Sequence, residues 1–403
     1  MVVAEMNKSG IKNWDISERV MSLESSVIRE ILKISSQPGV ISFAGGLPAP
    51  ELFPTNELKQ AMSDALDNYG PACVQYTITL GVIPLRALLA ERASAAGEPT
   101  EADNLMITAG SQQGLDLVGR IFLQRGDYIL TENPTYVGAL QAFDYYGARY
   151  ATIEMDDKGM IIDQVEANLK KHKPKFIYTI SSFQNPTGIT MSHERRVALV
   201  DLALKYDIPI VDDNPYGDVR FAGEPQPSMK SLAPEAVISL QTFSKVCAPG
   251  LRIGWMNAPK EIIRVIEKVK QGTDLHTNTL CQYIMLEFIK SGRLEPHIEK
   301  IKKDYLTKRD VMLSAMRRHF PDGISWTEPE GGLFLWVTLP EHMSAKEMLP
   351  EAVANKVAYV YGQPFFPNEE RGANTLRLNF SNATHENIEI GIQRLAKLFR
   401  EHM

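Results

Sequence analysis

The sequence predicts an α/β protein: a large domain with a mostly parallel seven-stranded sheet sandwiched by helices, plus a smaller α+β domain built from both chain ends. Three observations predict it. Between about residues 70 and 300, short apolar runs alternate with stretches whose apolar residues recur at helical spacing. After about residue 300 the alternation gives way to one long charged helical stretch and then a group of short strands. The chain has 403 residues, more than one hydrophobic core usually supports. The expected division is an N-terminal arm and part of the small domain at 1–60, the large domain at 61–300, and the rest of the small domain at 301–403.

Seven apolar runs read as strands of the large sheet: NLMITAG (104–110), DYILTENP (127–134), ARYATIEM (148–155), KFIYTISS (175–182), DIPIVDD (207–213), AVISLQTFS (236–244) and RIGWMNA (252–258). Between several of them lie amphipathic helices such as 111–126 and 192–207, so both faces of the sheet are covered and its strands run mostly parallel. Beyond them, 294–320 reads as a long helix, and GGLFLWVTL (331–339), KVAYVYG (356–362) and TLRLNFS (375–381) read as strands before a closing helix. The Gly- and Pro-rich stretch 42–54 breaks regular structure and is expected to wrap the junction.

The bulk numbers exclude several classes of function. Hydrophobic residues make up 44% and charged residues 23%, ordinary for a folded globular chain. A net charge of −6 without charged blocks gives no footprint for nucleic acid or an anionic membrane. Cys73, Cys247 and Cys281 lie far apart, without zinc or disulfide spacing, as expected in a reducing cytosol. No apolar stretch reads as a signal peptide or a membrane span, so a cytoplasmic location is expected.

In an open parallel sheet, ligands bind outside the carboxyl ends of the strands. Five polar clusters follow five of the runs: TAGSQQG (108–114), ENPTY (132–136), SSFQNPTG (181–188), DDNPY (212–216) and TFSK (242–245). The first precedes a helix, whose free N–H groups and dipole would seat a phosphate; simple capping by Ser111 is the alternative. It is neither a G-x-x-x-x-G-K-[ST] nor a G-x-G-x-x-G motif. Asp212 and Asp213 end a buried strand, where a carboxylate needs a cation or donors. With no His or further carboxylate nearby to complete a metal site, a protonated ring nitrogen is the better partner and no metal is expected. Lys245, close to Arg252 or in a dry pocket, would be left as a neutral amine able to form a Schiff base with an aldehyde. A phosphate seat, an acid for a ring nitrogen and an imine-forming lysine together describe pyridoxal 5'-phosphate.

At these residues the chain resembles the fold-type I pyridoxal-phosphate aminotransferases of class I/II, most closely the α-aminoadipate, kynurenine and aromatic aminotransferase group. The likeness runs from about Ser26 to the C-terminal helix. It is carried by SSVIREILK (25–33), ISFAGGLPAPELFP (41–54), AGSQQGLDLVGR (109–120), SSFQNPTG, FSKVCAPGLRIGW (243–255), KQGTDLHTNT (270–279) and NTLRLNFS (374–381). The resemblance implies that Lys245 carries the cofactor and shuttles the proton, and that Asp213 partners the ring nitrogen. It implies that Asn185 and Tyr216 bond the phenolic oxygen, and that Tyr136 stacks on the ring. Ser111, Gln112, Thr242 and Arg252 fall where the family binds phosphate. Tyr76 matches a tyrosine that reaches the neighbouring subunit's phosphate, which implies a homodimer with shared sites. Arg377 matches the arginine that grips the substrate's α-carboxylate; without the resemblance it reads as a solvent-facing strand arginine. Gly46 and Asn185 join it as substrate-binding residues. Arg29 either reaches a distal carboxylate or lies on the surface of an amphipathic helix.

One stretch departs from the group. Ile78 and Leu80 stand where relatives carry a proline and an acid in a substrate gate, which makes the gate more apolar and tilts the expected donors toward aromatic or aliphatic amino acids, with 2-oxoglutarate as acceptor. His276 is expected to shape the pocket and Cys247 to pack. A lyase or racemase could use the same cofactor site, and an amino-acid-sensing regulator is the non-enzyme alternative; the segment before residue 25 is too short for a DNA-binding winged helix.

Overall fold

The computed structural model of the protein describes residues 17, 20, 31, 37–367 and 371–403. Strand β1 (Ile41–Ser42) lies outside the central sheet. That sheet contains β2 (Leu105–Thr108), β3 (Tyr128–Asn133), β4 (Arg149–Asp156), β5 (Gly159–Met160), β6 (Ile177–Thr179), β7 (Ile210–Asp213), β8 (Val237–Thr242) and β9 (Gly254–Asn257). Its order is β2-β9-β8-β7-β6-β3-β4-β5. Seven of these strands are the runs expected from the sequence. The eighth, β5, turns back on β4 through a tight hairpin with Met155 opposite Met160. Two residues are too few to display an alternating pattern.

The core strands β6 and β7 are buried along their whole length, because helices cover both faces. β8, β7, β6, β3 and β4 pair in parallel, whereas β9 is antiparallel to both of its neighbours, β2 and β8. Gly254 pairs with both Thr108 and Thr242. The reversal matters for function: the loop that precedes β9 reaches the same edge as the loops that follow β2 and β8, and so delivers Arg252 there.

Strands β10 (Ser325–Trp326), β11 (Phe334–Thr338), β12 (Val357–Ala358), β13 (Val360–Tyr361) and β14 (Thr375–Asn379) follow the helix Leu294–His319. Four of them form an antiparallel sheet, β10-β11-β14-β13, and β12 pairs in parallel with β1. The stretch expected as one strand over 356–362 is therefore two, which bend at the buried Tyr359 and join different sheets; the Tyr359 hydroxyl donates to the Ala345 carbonyl at 2.7 Å. Backbone bonds from Phe43 to Ala358 and from Asn379 to Phe43 fasten the segment after β1 to this region. That segment then runs on to the strand edge of the large sheet.

Candidate active site

Lys245 sits three residues past β8, and its Nζ donates to the Gly46 carbonyl at 2.9 Å. Burial, with Arg377 and Arg252 adding to it, pulls its ammonium down to about 8. Asp213 closes β7 and is only 1% exposed. Its Oδ2 accepts from the Tyr178 hydroxyl at 3.1 Å, whereas the buried Oδ1 has no hydrogen-bond partner. Burial pushes its carboxyl up to about 7, against the pull of Tyr178 and Lys245. A buried carboxyl oxygen without a partner is costly, which marks it as an acceptor shaped for a donor that the chain itself does not supply.

Arg377 lies in the middle of β14, between Trp336 of β11 and Val360 of β13, and is 2% exposed. The solvent-facing alternative for this strand arginine is therefore wrong. Strand alternation places it on one face of the small sheet, and that face is covered by Phe334, whose ring lies 4.1 Å from the guanidinium carbon, and by Phe365 at 5.2 Å. Its Nη1 donates to Asn185 Oδ1 and its Nη2 to the Ala44 carbonyl, both at 2.8 Å, while Nε has no partner. Burial lowers its pKa to about 10, leaving a fixed cation at neutral pH. Asn185 Nδ2 faces the Tyr216 hydroxyl at 3.5 Å. Tyr136, raised to about 12 first by burial and then by Asp213, completes the wall and electrostatically couples to Arg377 and Arg252.

The helix start after β2 does not follow the capping alternative. Gly110, with φ +76°, is the N-cap of the helix Ser111–Phe122, and Ser111 is its first residue, making no side-chain cap. The N–H groups at this helix start point out of its end. Arg252 adopts the left-handed conformation, φ +55°, and its Nη2 donates to the Ala109 carbonyl at 2.9 Å. A Cβ on Gly110 would lie 2.5 Å from that nitrogen and would push the guanidinium aside, and the φ of +76° itself favours glycine there. Gln112 Nε2 donates to the Gly138 carbonyl at 2.8 Å, tying this helix to the start of the helix Val137–Asp144 that Tyr136 caps. The Thr242 hydroxyl donates to the Ile253 carbonyl at 3.2 Å and can accept from the Ser244 hydroxyl at 2.9 Å, holding the two loops that carry Lys245 and Arg252.

The strand edge thus gathers Lys245, Asp213, Asn185, Tyr216, Tyr136, Arg377, Gly46 and the Gly110 helix start. Tyr76 stands apart: it is 79% exposed, with its ring edge-on to His276 at 5.7 Å. Cys247 is buried, and burial pushes its thiol up to about 12, as suits a packing residue. Arg29 lies outside the described residues. Sequence reasoning missed Tyr178, which orients Asp213, and Phe334, which backs Arg377. Both are hidden inside apolar runs, although a tyrosine in the buried run KFIYTISS needs a partner for its hydroxyl, and that requirement was a usable signal.

These residues fit pyridoxal phosphate: Asp213 Oδ1 awaits a ring N–H, Lys245 is an amine eased toward neutrality, and Arg252 with a helix start offers an anion seat. The comparisons agree. The family model "Aminotransferase class I and II" matches residues 41–395. The aromatic-amino-acid aminotransferase 1 of Thermococcus litoralis is 46% identical over 394 residues, 96% of this chain and 94% of its own. The kynurenine aminotransferase of Pyrococcus horikoshii, solved with PMP, KYN as substrates and KYA as products, is 40% identical with a TM-score of 0.94 and full coverage of both chains. The α-aminoadipate aminotransferase LysN of Thermus thermophilus, complexed with N-(5'-phosphopyridoxyl)-L-leucine, is 38% identical with a TM-score of 0.89, covering 96% of this chain and 97% of that one. The chain belongs to the class I and II aminotransferases, and it is a pyridoxal-phosphate-dependent transaminase.

Proposed function

We propose that the protein moves the α-amino group of an aromatic, aliphatic or α-aminoadipate-like L-amino acid to a 2-oxo acid such as 2-oxoglutarate, in a ping-pong cycle centred on Lys245. One observation carries the reading: the Lys245 amine lies within electrostatic reach of both a buried carboxyl with an unpartnered oxygen, Asp213, and a buried guanidinium with an unpartnered Nε, Arg377. Bound pyridoxal phosphate supplies an aldehyde that condenses with amines and a ring that accepts electrons from the substrate's Cα. Lys245 Nζ anchors the cofactor and, once displaced by substrate, carries the proton to and from Cα. Asp213 Oδ1 holds the ring N–H, with Tyr178 fixing the carboxyl plane. Asn185 and Tyr216 bond the phenolic oxygen, and Tyr136 stacks on the ring. Ser111, Gln112, Thr242 and Arg252 hold the phosphate.

Arg377 takes the α-carboxylate as a preset planar fork, its position fixed by Phe334 and Ala44. Gly46 and Asn185 line the same end of the pocket. The aromatic side chains beside Arg377, and the apolar Ile78 and Leu80, support donors with apolar side chains. The aromatic, kynurenine and α-aminoadipate relatives support the same range.

A homodimer with shared sites is part of the proposal, and the exposure of Tyr76 together with Val74, Ile78 and Ile83, close to it in sequence, supports it. The small-domain division at about residue 300, and a cytoplasmic setting without nucleic-acid or membrane partners, complete the proposal. Among the described residues no helix is long and apolar enough to cross a membrane.

Borohydride reduction of the yellow protein, followed by peptide mapping, is expected to mark Lys245; a mark on another lysine would sink the assignment. A half-reaction screen across acidic, aromatic, branched and basic amino acids should bleach the cofactor with the apolar and aromatic donors and recover colour with 2-oxoglutarate. Release of pyruvate and ammonia without an acceptor would indicate a lyase instead.

A further inference from the structure

We propose that Glu132 is a positioning residue for this reaction, clasping the loop after β3 to the loop after β6 and so fixing Tyr136 and Asn185 at the cofactor. The inference rests on pyridoxal phosphate binding at Lys245, and it deepens that reading. β3 and β6 are neighbours from which the chain departs in opposite directions, β3 toward β4 and β6 toward β7. Such a divide opens a crevice between two loops, which is where ligands bind and also where the fold leaves the loops least connected.

Glu132 fills that divide. It is the penultimate residue of β3 and 1% exposed. All three donors to its carboxyl come from the other side of the divide. The Thr179 hydroxyl donates to Oε1 at 2.5 Å; the Ile180 N–H and Gln184 Nε2 donate to Oε2 at 3.3 and 3.2 Å. Gln184 continues the clasp: its Nε2 also donates to the Pro134 carbonyl at 2.8 Å, and its Oε1 accepts the Thr187 N–H at 3.0 Å and hydroxyl at 2.7 Å. The two loops are thereby tied together immediately before Tyr136 and Asn185. Asn185 in turn bonds Arg377, so the clasp reaches the substrate's carboxylate grip through one further contact.

Among the described residues no ion pair meets Glu132, and burial pushes its carboxyl up to about 8 despite the three donors. A neutral carboxyl serves the clasp by donating its own O–H from Oε1 to the Thr179 oxygen while Oε2 accepts from Ile180 and Gln184, and a carboxamide can replace it: the glutamine carbonyl accepts from Ile180 and Gln184, and its NH2 turns to the Thr179 oxygen. A residue that merely filled space would be apolar at this position, as Leu130 is two residues earlier on the same strand.

The test uses the cofactor-loaded enzyme and its variants Glu132→Gln, Glu132→Ala and Thr179→Val, read by pyridoxal phosphate affinity, the pH midpoint of the cofactor's visible absorption, and kcat and KM taken separately. Glu132→Ala is expected to weaken cofactor affinity ~10-fold, the scale of one to two buried hydrogen bonds, and to move the absorption midpoint. Thr179→Val should move both readouts in the same direction by less, and Glu132→Gln should restore both. Wild-type affinity and midpoint in Glu132→Ala would overturn the proposal, as would a Glu132→Gln variant as impaired as the alanine. If the alanine variant does not fold, an unmoved midpoint in Thr179→Val overturns it by itself. Borohydride labelling of the wild type separates the two readings: no label at Lys245 breaks the cofactor assignment, whereas a label with unmoved variants breaks only the clasp.

Discussion

Two carboxyls are buried to the same degree at the ends of β7 and β3, two strands apart in one sheet, and they are treated differently. Glu132 has three donors and both oxygens engaged. Asp213 has one donor, and its other oxygen has none. Burial raises both, yet only Asp213 lies within the influence of Lys245. A folded chain tolerates a buried charge-bearing group either by satisfying it internally or by reserving it for a ligand. The difference sets a carboxyl held wholly by the chain against one that keeps an oxygen open within the influence of Lys245, and it can be broken by removing the open partners one at a time.

Replacing the reserved acid should have the largest effect. Asp213→Asn keeps the size but offers no charge to a ring N–H; kcat/KM should fall on the order of 10²–10³-fold, the scale of losing one preorganised electrostatic partner. Steady-state kinetics check it, and a loss below tenfold would erase the distinction between the two carboxyls. Next comes the cation on the other side of the pocket. Arg377→Lys keeps charge but loses the planar fork held against Phe334, so KM for the amino acid should rise about 10²-fold with a smaller change in kcat. Gly110→Ala acts on the proposed phosphate seat. Its Cβ would meet Arg252 Nη2 at 2.5 Å with φ at +76°, so cofactor affinity should weaken ~10-fold and stability should drop by ~1 kcal/mol. Absorbance titration and thermal melts measure the two losses.

The same contrast explains what the sequence could show. The clusters that hold Lys245, Asp213 and Asn185 were legible because polar residues following apolar runs stand out in one dimension, and five such clusters converge only at the carboxyl edge of a parallel sheet; the choice of Asp213 over Asp212, and of Asn185 within its cluster, came from the family resemblance. The seven main strands were legible for the same reason. β1, β5 and β10 were not, because two residues carry no period. The burial of Arg377 was invisible: TLRLN alternates as a half-exposed strand does, and only contacts with Phe334 and Ala44, far away in sequence, close its polar face. Glu132 escaped notice because its partners at 179, 180 and 184 lie on another strand and its loop. Satisfaction of a buried group is a property of three-dimensional neighbours.

The most direct measure of the reserved group is its effect on stability across pH. In the cofactor-free protein Asp213 holds its proton to about 7, whereas in the unfolded chain it releases it near the ordinary aspartate value of 3.8. Between those values the folded state binds more protons, so stability conferred by Asp213 is complete below about 4 and is lost as pH rises through 7. Lys245 behaves oppositely: lowered from 10.5 to about 8, its contribution is present above 10.5 and is lost as pH falls through 8. Both penalties are therefore in force between about 7 and 8, where the cofactor-free protein should be least favoured by these two groups. Asp213→Asn should flatten the fall between pH 4 and 7 by up to ~1 kcal/mol per pH unit, while the slope above pH 8 stays. Urea unfolding of wild type and variant across that range measures it. Parallel curves would mean that Asp213 is already ionised in the folded chain, and its unpartnered oxygen would then need another explanation than a waiting ring nitrogen.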